Sequence, residues 1–110
     1  MKVSYRQASR DDVTRQVRHY LVALDLPEVA IRFKEAVKKS AKAISEQPGA
    51  APSFRLRNPR LQNLRSWPVA GFEAIRFYFL VEDETIRVIR ILHGKRNVRR
   101  ILEMERKAEE

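Results

Sequence analysis

There is no cysteine in this chain, so disulfide bonds and thiolate chemistry are excluded, and a reducing, cytoplasmic setting is expected. Three glycines are too few for a glycine-rich phosphate loop, and no serine sits in a nucleophile elbow. The two histidines, His19 and His93, lie far apart and give no metal-ligand spacing, so neither a metal nor another cofactor is expected. No apolar stretch reaches the roughly 18 residues of a membrane span. Met1-Lys2-Val3-Ser4-Tyr5 also lacks a signal-peptide core, so the expected protein is soluble and intracellular, without a membrane partner. Negative charge is scarce: 14 acidic residues stand against 23 lysines and arginines, a formal charge of +9. That excess favours an anionic partner, and by itself it does not choose among nucleic acid, a ribosome, an acidic protein segment or a membrane surface.

What is present is globular in composition, 44% hydrophobic and 34% charged over 110 residues, enough for one core and one domain over 1–110. The densest pattern is Ile75-Arg76-Phe77-Tyr78-Phe79-Leu80-Val81, an acidic turn Glu82-Asp83-Glu84, and Ile86 to Leu92. Two β-rich runs about a short turn predict an antiparallel hairpin that leaves the sheet through His93-Gly94-Lys95-Arg96. Alternation puts Ile75, Phe77, Phe79 and Val81 on one face and Arg76, Tyr78 and Leu80 on the other. The second run is apolar on both sides except at Arg87 and Arg90, expected on opposite faces, and this suits a central strand covered by helices on one side.

Before the hairpin, Lys2 to Arg6 suits a brief edge strand. Ser9 with Asp11 and Asp12 reads as a helix start, followed by the stripe Val13, Val17, Tyr20, Leu21 and Leu24. Pro27 opens a second helix whose stripe is Ala30, Phe33, Val37, Ala41 and Ile44, stopped by Gln47-Pro48-Gly49. The segment to Pro59 reads as a loop, and Leu61, Leu64 and Trp67 as a strand ended by Pro68. Asn97 caps a last helix with Val98, Ile101 and Leu102 on one face and Arg99, Arg100, Arg106 and Lys107 elsewhere; Glu109 and Glu110 fray. The expected fold is therefore α+β: an N-terminal strand and an antiparallel helical hairpin packed on a small, mainly antiparallel sheet, with a C-terminal helical segment. The far sheet face is expected to be partly open.

These pieces, in this order, resemble the ParE/RelE superfamily of toxins from type II toxin-antitoxin pairs. The resemblance rests on Ala30-Ile31-Arg32-Phe33, Pro48-Gly49, Leu64-Arg65, Arg76-Phe77-Tyr78-Phe79, and Val88 through Asn97 leading to Ile101-Leu102. The segment Ile91-Leu92-His93-Gly94-Lys95-Arg96 is similar to the ParE branch in particular. That branch implies a poison of DNA gyrase, not itself an enzyme, neutralised by a cognate ParD-like antitoxin. The RelE branch implies instead an endonuclease that cuts messenger RNA on the ribosome. Arg76 and Arg96 match phosphate-contacting arginines of the RelE pattern. Its tyrosine falls here near Ile101 and Leu102, and its lysine pair has no counterpart around Arg65 to Pro68.

Under the ParE reading the target-binding surface is His93, Lys95, Arg96, Arg99 and Arg100. Clustered arginines recognise carboxylates bidentately, which assigns Arg55, Arg57, Arg65 and Arg76 to the antitoxin. The RNA-cleaving alternative uses Arg76, Tyr78, His93 and Arg96 to stabilise phosphorane charge and exchange protons. Plainer roles stand beside these. His93 fits a strand-end histidine bonded to a backbone carbonyl, Tyr78 fits packing against a helix or the C-terminal segment, and Arg76 fits pairing with Glu73 or Asp83. Arg60 fits a solvated loop charge, Trp67 core support and His19 the surface. Exposed apolar groups beside many cations would associate with an amphipathic acidic segment.

Overall fold

The computed structural model describes residues 1–105, so the expectations for Arg106, Lys107, Glu109 and Glu110 lie outside the described residues. Strand β1 (Lys2–Tyr5) leads into helix α1 (Gln7–Arg18), a π-helical turn (His19–Ala23) and helix α2 (Pro27–Glu46). After short 3₁₀ turns at Pro48–Ala50 and Pro59–Leu61 come β2 (Arg65–Val69), β3 (Phe72–Glu82), β4 (Thr85–His93) and helix α3 (Val98–Glu103). The sheet has four strands in the order β1-β4-β3-β2, with β1 parallel to β4 and the other pairs antiparallel. This is the expected α+β arrangement.

Helix α2 forms as its spacing dictates. Pro27 supplies the pre-set first turn, and Ala30, Phe33, Val37, Ala41 and Ile44 are all buried along one side. They meet Val69, Ile75, Phe77, Phe79, Ile86, Val88 and Ile91 of the sheet in the main core, each large side chain contributing about 1.5–3 kcal/mol. From α1, Val13, Val17 and Tyr20 pack against the same core. The Tyr20 ring stands 5.7 Å from Phe33 and 5.9 Å from Phe72.

Two expectations for α1 fail. Ser9 is not its cap: the helix begins at Gln7, and the buried Ser9 hydroxyl donates to the Arg6 carbonyl at 2.7 Å. Leu21 and Leu24 do not continue the stripe, because the wider π turn changes the phase and leaves them 46% and 48% exposed.

Pro68 lies inside β2 instead of ending it. β2 is an edge strand of the four, and the segment outside it bridges only its start, Ser53 to Arg65, so Pro68 lies where proline is tolerated. The β3–β4 turn is made by Asp83 and Glu84, both at positive φ, 49° and 59°, as a two-residue hairpin turn requires. A register shift follows, in which Tyr78 pairs with Arg90 but Phe79 with Val88, leaving Ile89 as the extra residue. Arg87 thus stands opposite Leu80 and Arg90 opposite Tyr78, so the two arginines share a face instead of occupying opposite ones.

The far face of the sheet is not open. Tyr78, Leu80, Ile89 and Leu92 form a second core with Leu61, Leu64 and Leu102, flanked by Phe54, Leu56, Val98 and Ile101. Helix α3 and the segment 54–64 together cover it.

Candidate functional site

The exit from β4 is built by local hydrogen bonds. Gly94 N–H donates to the Ala74 carbonyl at 2.7 Å, and Arg96 N–H donates to the His93 carbonyl at 3.1 Å. The His93 ring donates to no carbonyl among the described residues. Its Nδ1 accepts the Lys95 N–H at 3.0 Å, which leaves the ring proton on Nε2 and tightens the turn. Asn97 Oδ1 then accepts the Arg100 N–H at 3.3 Å and starts α3. Lys95, Arg96, Arg99 and Arg100 all remain exposed around this turn, and His93 is partly buried.

Helix α3 is tied down by the segment ahead of β2. The Glu103 carboxylate accepts the backbone N–H groups of Arg57 and Asn58, each at 2.8 Å. Asn58 Nδ2 in turn donates to the Leu102 and Glu105 carbonyls at 2.9 and 3.0 Å. Arg99 donates to the Arg55 carbonyl at 2.7 Å, and its guanidinium lies 5.0 Å from the Phe54 ring centre. Arg55, Leu56, Arg57, Arg99 and Glu103 consequently line one open cleft. Arginines that sequence reasoning divided between two partners are neighbours here.

Arg65 and Arg76 lie elsewhere. Cross-strand partners share a sheet face, so Arg65, opposite Phe79, is on the main-core side, where its guanidinium donates to the Ala51 carbonyl. Arg76, opposite Pro68, is on the second-core side and donates through Nε to Ser66 Oγ at 2.7 Å. It pairs with neither Glu73 nor Asp83 in an ion pair, and Glu73 instead accepts the Gly71 N–H at 2.7 Å.

Strand parity also divides the RNA-cleaving set. Arg76 and Tyr78 share the second-core face, while His93 stands opposite Ile75 on the main-core face. Tyr78 is 3% exposed, with its ring 5.2 Å from Phe54 in an edge-on contact. Burial pushes its phenol above the ordinary value, and the Arg76 charge and Ser66 hydroxyl oppose that rise. Arg96 is exposed beyond the strand end. Trp67 flanks the main core, and His19 is at the surface.

A polar cluster that ties α1 and the segment after α3 to β4 escaped sequence reasoning. Arg90 grips Asp12 with two hydrogen bonds, both at 2.8 Å, and donates to Glu105 at 2.9 Å; Glu105 also pairs with Arg6 at 3.0 Å. The hydrogen bonds Arg90 donates to Asp12 lead the causes that raise the Arg90 pKa above its usual value. Arginine in a mostly apolar central strand was the available signal, since a buried charge requires a partner.

The fold has known counterparts. The family model described as the ParE toxin of the type II toxin-antitoxin system parDE matches residues 3–98. A solved structure of a chromosomal ParDE toxin-antitoxin system from P. aeruginosa contains a chain that is similar at TM-score 0.67 and 18% identity. That alignment covers 84% of this chain and 95% of the other. No curated protein sequence matches.

Proposed function

The chain belongs to the ParE toxin family of type II toxin-antitoxin systems, and from that premise we propose that it inhibits DNA gyrase by protein–protein contact, without catalysis of its own. A cognate ParD-like antitoxin neutralises it in the cytoplasm, and residues 1–110 act as one toxin domain. The target meets the β4 exit: His93, Lys95, Arg96, Arg99 and Arg100. The antitoxin draws on Arg55, Arg57, Arg65 and Arg76. The observation that carries the choice of gyrase over messenger RNA is strand parity. His93 is on the sheet face opposite Arg76 and Tyr78, and Tyr78 is buried, so the candidate acid, base and phosphate-binding groups do not converge.

Supercoiling assays with purified toxin test this reading. The expected result is loss of gyrase supercoiling with accumulation of cleaved DNA, relieved by antitoxin. Normal supercoiling together with fragmentation of ribosome-bound messages would establish the RelE-like alternative.

A further inference from the structure

The two segments that cover the second sheet face carry charge of nearly one sign. Arg55, Arg57 and Arg60 stand on the first, Lys95, Arg96, Arg99 and Arg100 on the second, and every one of them is exposed. The one carboxylate on these segments, Glu103, is taken up by the Arg57 and Asn58 N–H groups. None of these cations forms an ion pair among the described residues.

Packing holds the charges together and outward. Val98, Ile101 and Leu102 turn into the second core, so Arg100 lies on the outer side of α3 and Arg99 on its flank. There Arg99 donates to the Arg55 carbonyl, which brings the two charged segments edge to edge around the cleft that Arg57 also lines. Like charges gathered this way repel one another and focus a positive potential, and a polyanion laid across them relieves both.

We infer that this surface binds the sugar-phosphate backbone of duplex DNA, without reading sequence, and so adds a DNA contact to the toxin's hold on gyrase; the choice of DNA rests on the gyrase reading above. The make-up of the surface selects this occupant. A docked peptide is anchored by apolar side chains, and of the large apolar residues exposed among the described ones only Met104 lies on these segments. A bilayer surface fails for the same reason. A single strand needs an aromatic platform, yet no aromatic side chain is exposed, and Phe54 is held between the Arg99 guanidinium and the Tyr78 ring. A duplex needs only spaced cations, because it presents a negative charge about every 1.7 Å along its axis. Arg55 and Arg57, on which the antitoxin draws, serve the phosphates once it has left.

The test measures binding of purified toxin to fluorescent duplexes of about 25 base pairs over a series of salt concentrations. Two variants make the same change in charge: Arg55→Gln with Arg57→Gln and Arg60→Gln, and, as a control on α2, Lys34→Gln with Lys38→Gln and Lys42→Gln. All six side chains are exposed, and the thermal midpoint verifies folding. Wild-type toxin is expected to bind two unrelated duplexes equally, with affinity falling as salt rises. The arginine variant is expected to bind about tenfold or more weakly and to lower the log–log salt slope by about 2–3, while the lysine variant stays within about twofold of wild type. Absence of binding by wild-type toxin, or equal loss in both variants, overturns the inference. So does tighter binding to a single strand, an RNA duplex, an acidic peptide or phosphatidylglycerol vesicles than to the DNA duplex. Toxin that binds the duplex but leaves supercoiling untouched sinks the gyrase reading alone, and toxin that inhibits supercoiling without binding the duplex sinks this inference alone.

Discussion

Asp12 and Arg90, 78 positions apart, meet in a two-pronged pair whose bonds are both 2.8 Å, and Asp12 Oδ2 also accepts the Ile91 N–H at 2.9 Å. One carboxylate thereby anchors α1 to the middle of β4. The Asp12 side chain is 2% exposed and that of Arg90 13%, so solvent offers little replacement if either is lost. Asp12→Ala is expected to cost about 3–5 kcal/mol, read from urea unfolding. The double variant Asp12→Leu with Arg90→Met should cost less than the two single losses combined, since it leaves no uncompensated charge.

Phe33 and Ile31 are two residues apart on α2 and differ completely in burial, 0% against 58% exposed. Phe33→Ala opens a cavity between α2 and the sheet and is expected to cost about 3–5 kcal/mol. Ile31→Ala should stay within about 0.5 kcal/mol of wild type in the same denaturation series. An equal loss at both sites would mean that α2 presents a different face to the core.

Stability should fall at alkaline pH through Tyr78. Burial raises its phenol above 10.0, so the folded chain holds that proton more tightly than the unfolded chain does. The contribution is complete below pH 10.0 and is lost as the pH rises through the raised value. Tyr5, raised by burial as well, acts in the same direction. Ultraviolet titration of tyrosinate should therefore show phenols ionising above their ordinary range, and Tyr78→Phe should flatten the alkaline loss.

Glu103 holds the segment 54–58 against α3 through two backbone N–H groups. Glu103→Ala is expected to speed hydrogen exchange at Arg57 and Asn58 by about tenfold or more, while amides of β3 and β4 keep their protection. Unchanged exchange would show that Asn58 and Arg99 suffice to hold the segment.

Arg96 and Arg100 are exposed at the β4 exit. Arg96→Glu with Arg100→Glu should reduce supercoiling inhibition by about tenfold through charge mismatch with the target, without moving the thermal midpoint. Full inhibition by that variant would remove this surface from the gyrase contact.

The parts legible in the sequence were those where local pattern and tertiary packing agree. The α2 stripe between Pro27 and Gln47, the β3–β4 hairpin and the Asn97 cap all carry their reason within a few residues. The failures share a different cause. Ser9 and Asp12 look like the polar start of a helix, yet both are buried, and Asp12 serves a strand far along the chain. Strand parity was legible up to Val88 and not beyond, because nothing in Val88-Ile89-Arg90-Ile91 announces an extra residue. The cover on the second sheet face was missed because α3 is short and residues 54–64 have no periodicity. For the candidate site, the exposed cations after His93 were readable from sequence. The convergence of Arg55, Arg57 and Arg99 was not, since it depends on Glu103 and Asn58 holding two distant segments together.

Strand β1 pairs with β4, Lys2 with Thr85 through Tyr5 with Val88. During synthesis the first strand therefore waits, unpaired, until Thr85 to Val88 have been made, about 80 residues later. At about 5–20 residues per second that delay is roughly 4–16 s. For that interval the nascent poison is unfinished, and an antitoxin already present in the cell has time to meet it as it emerges.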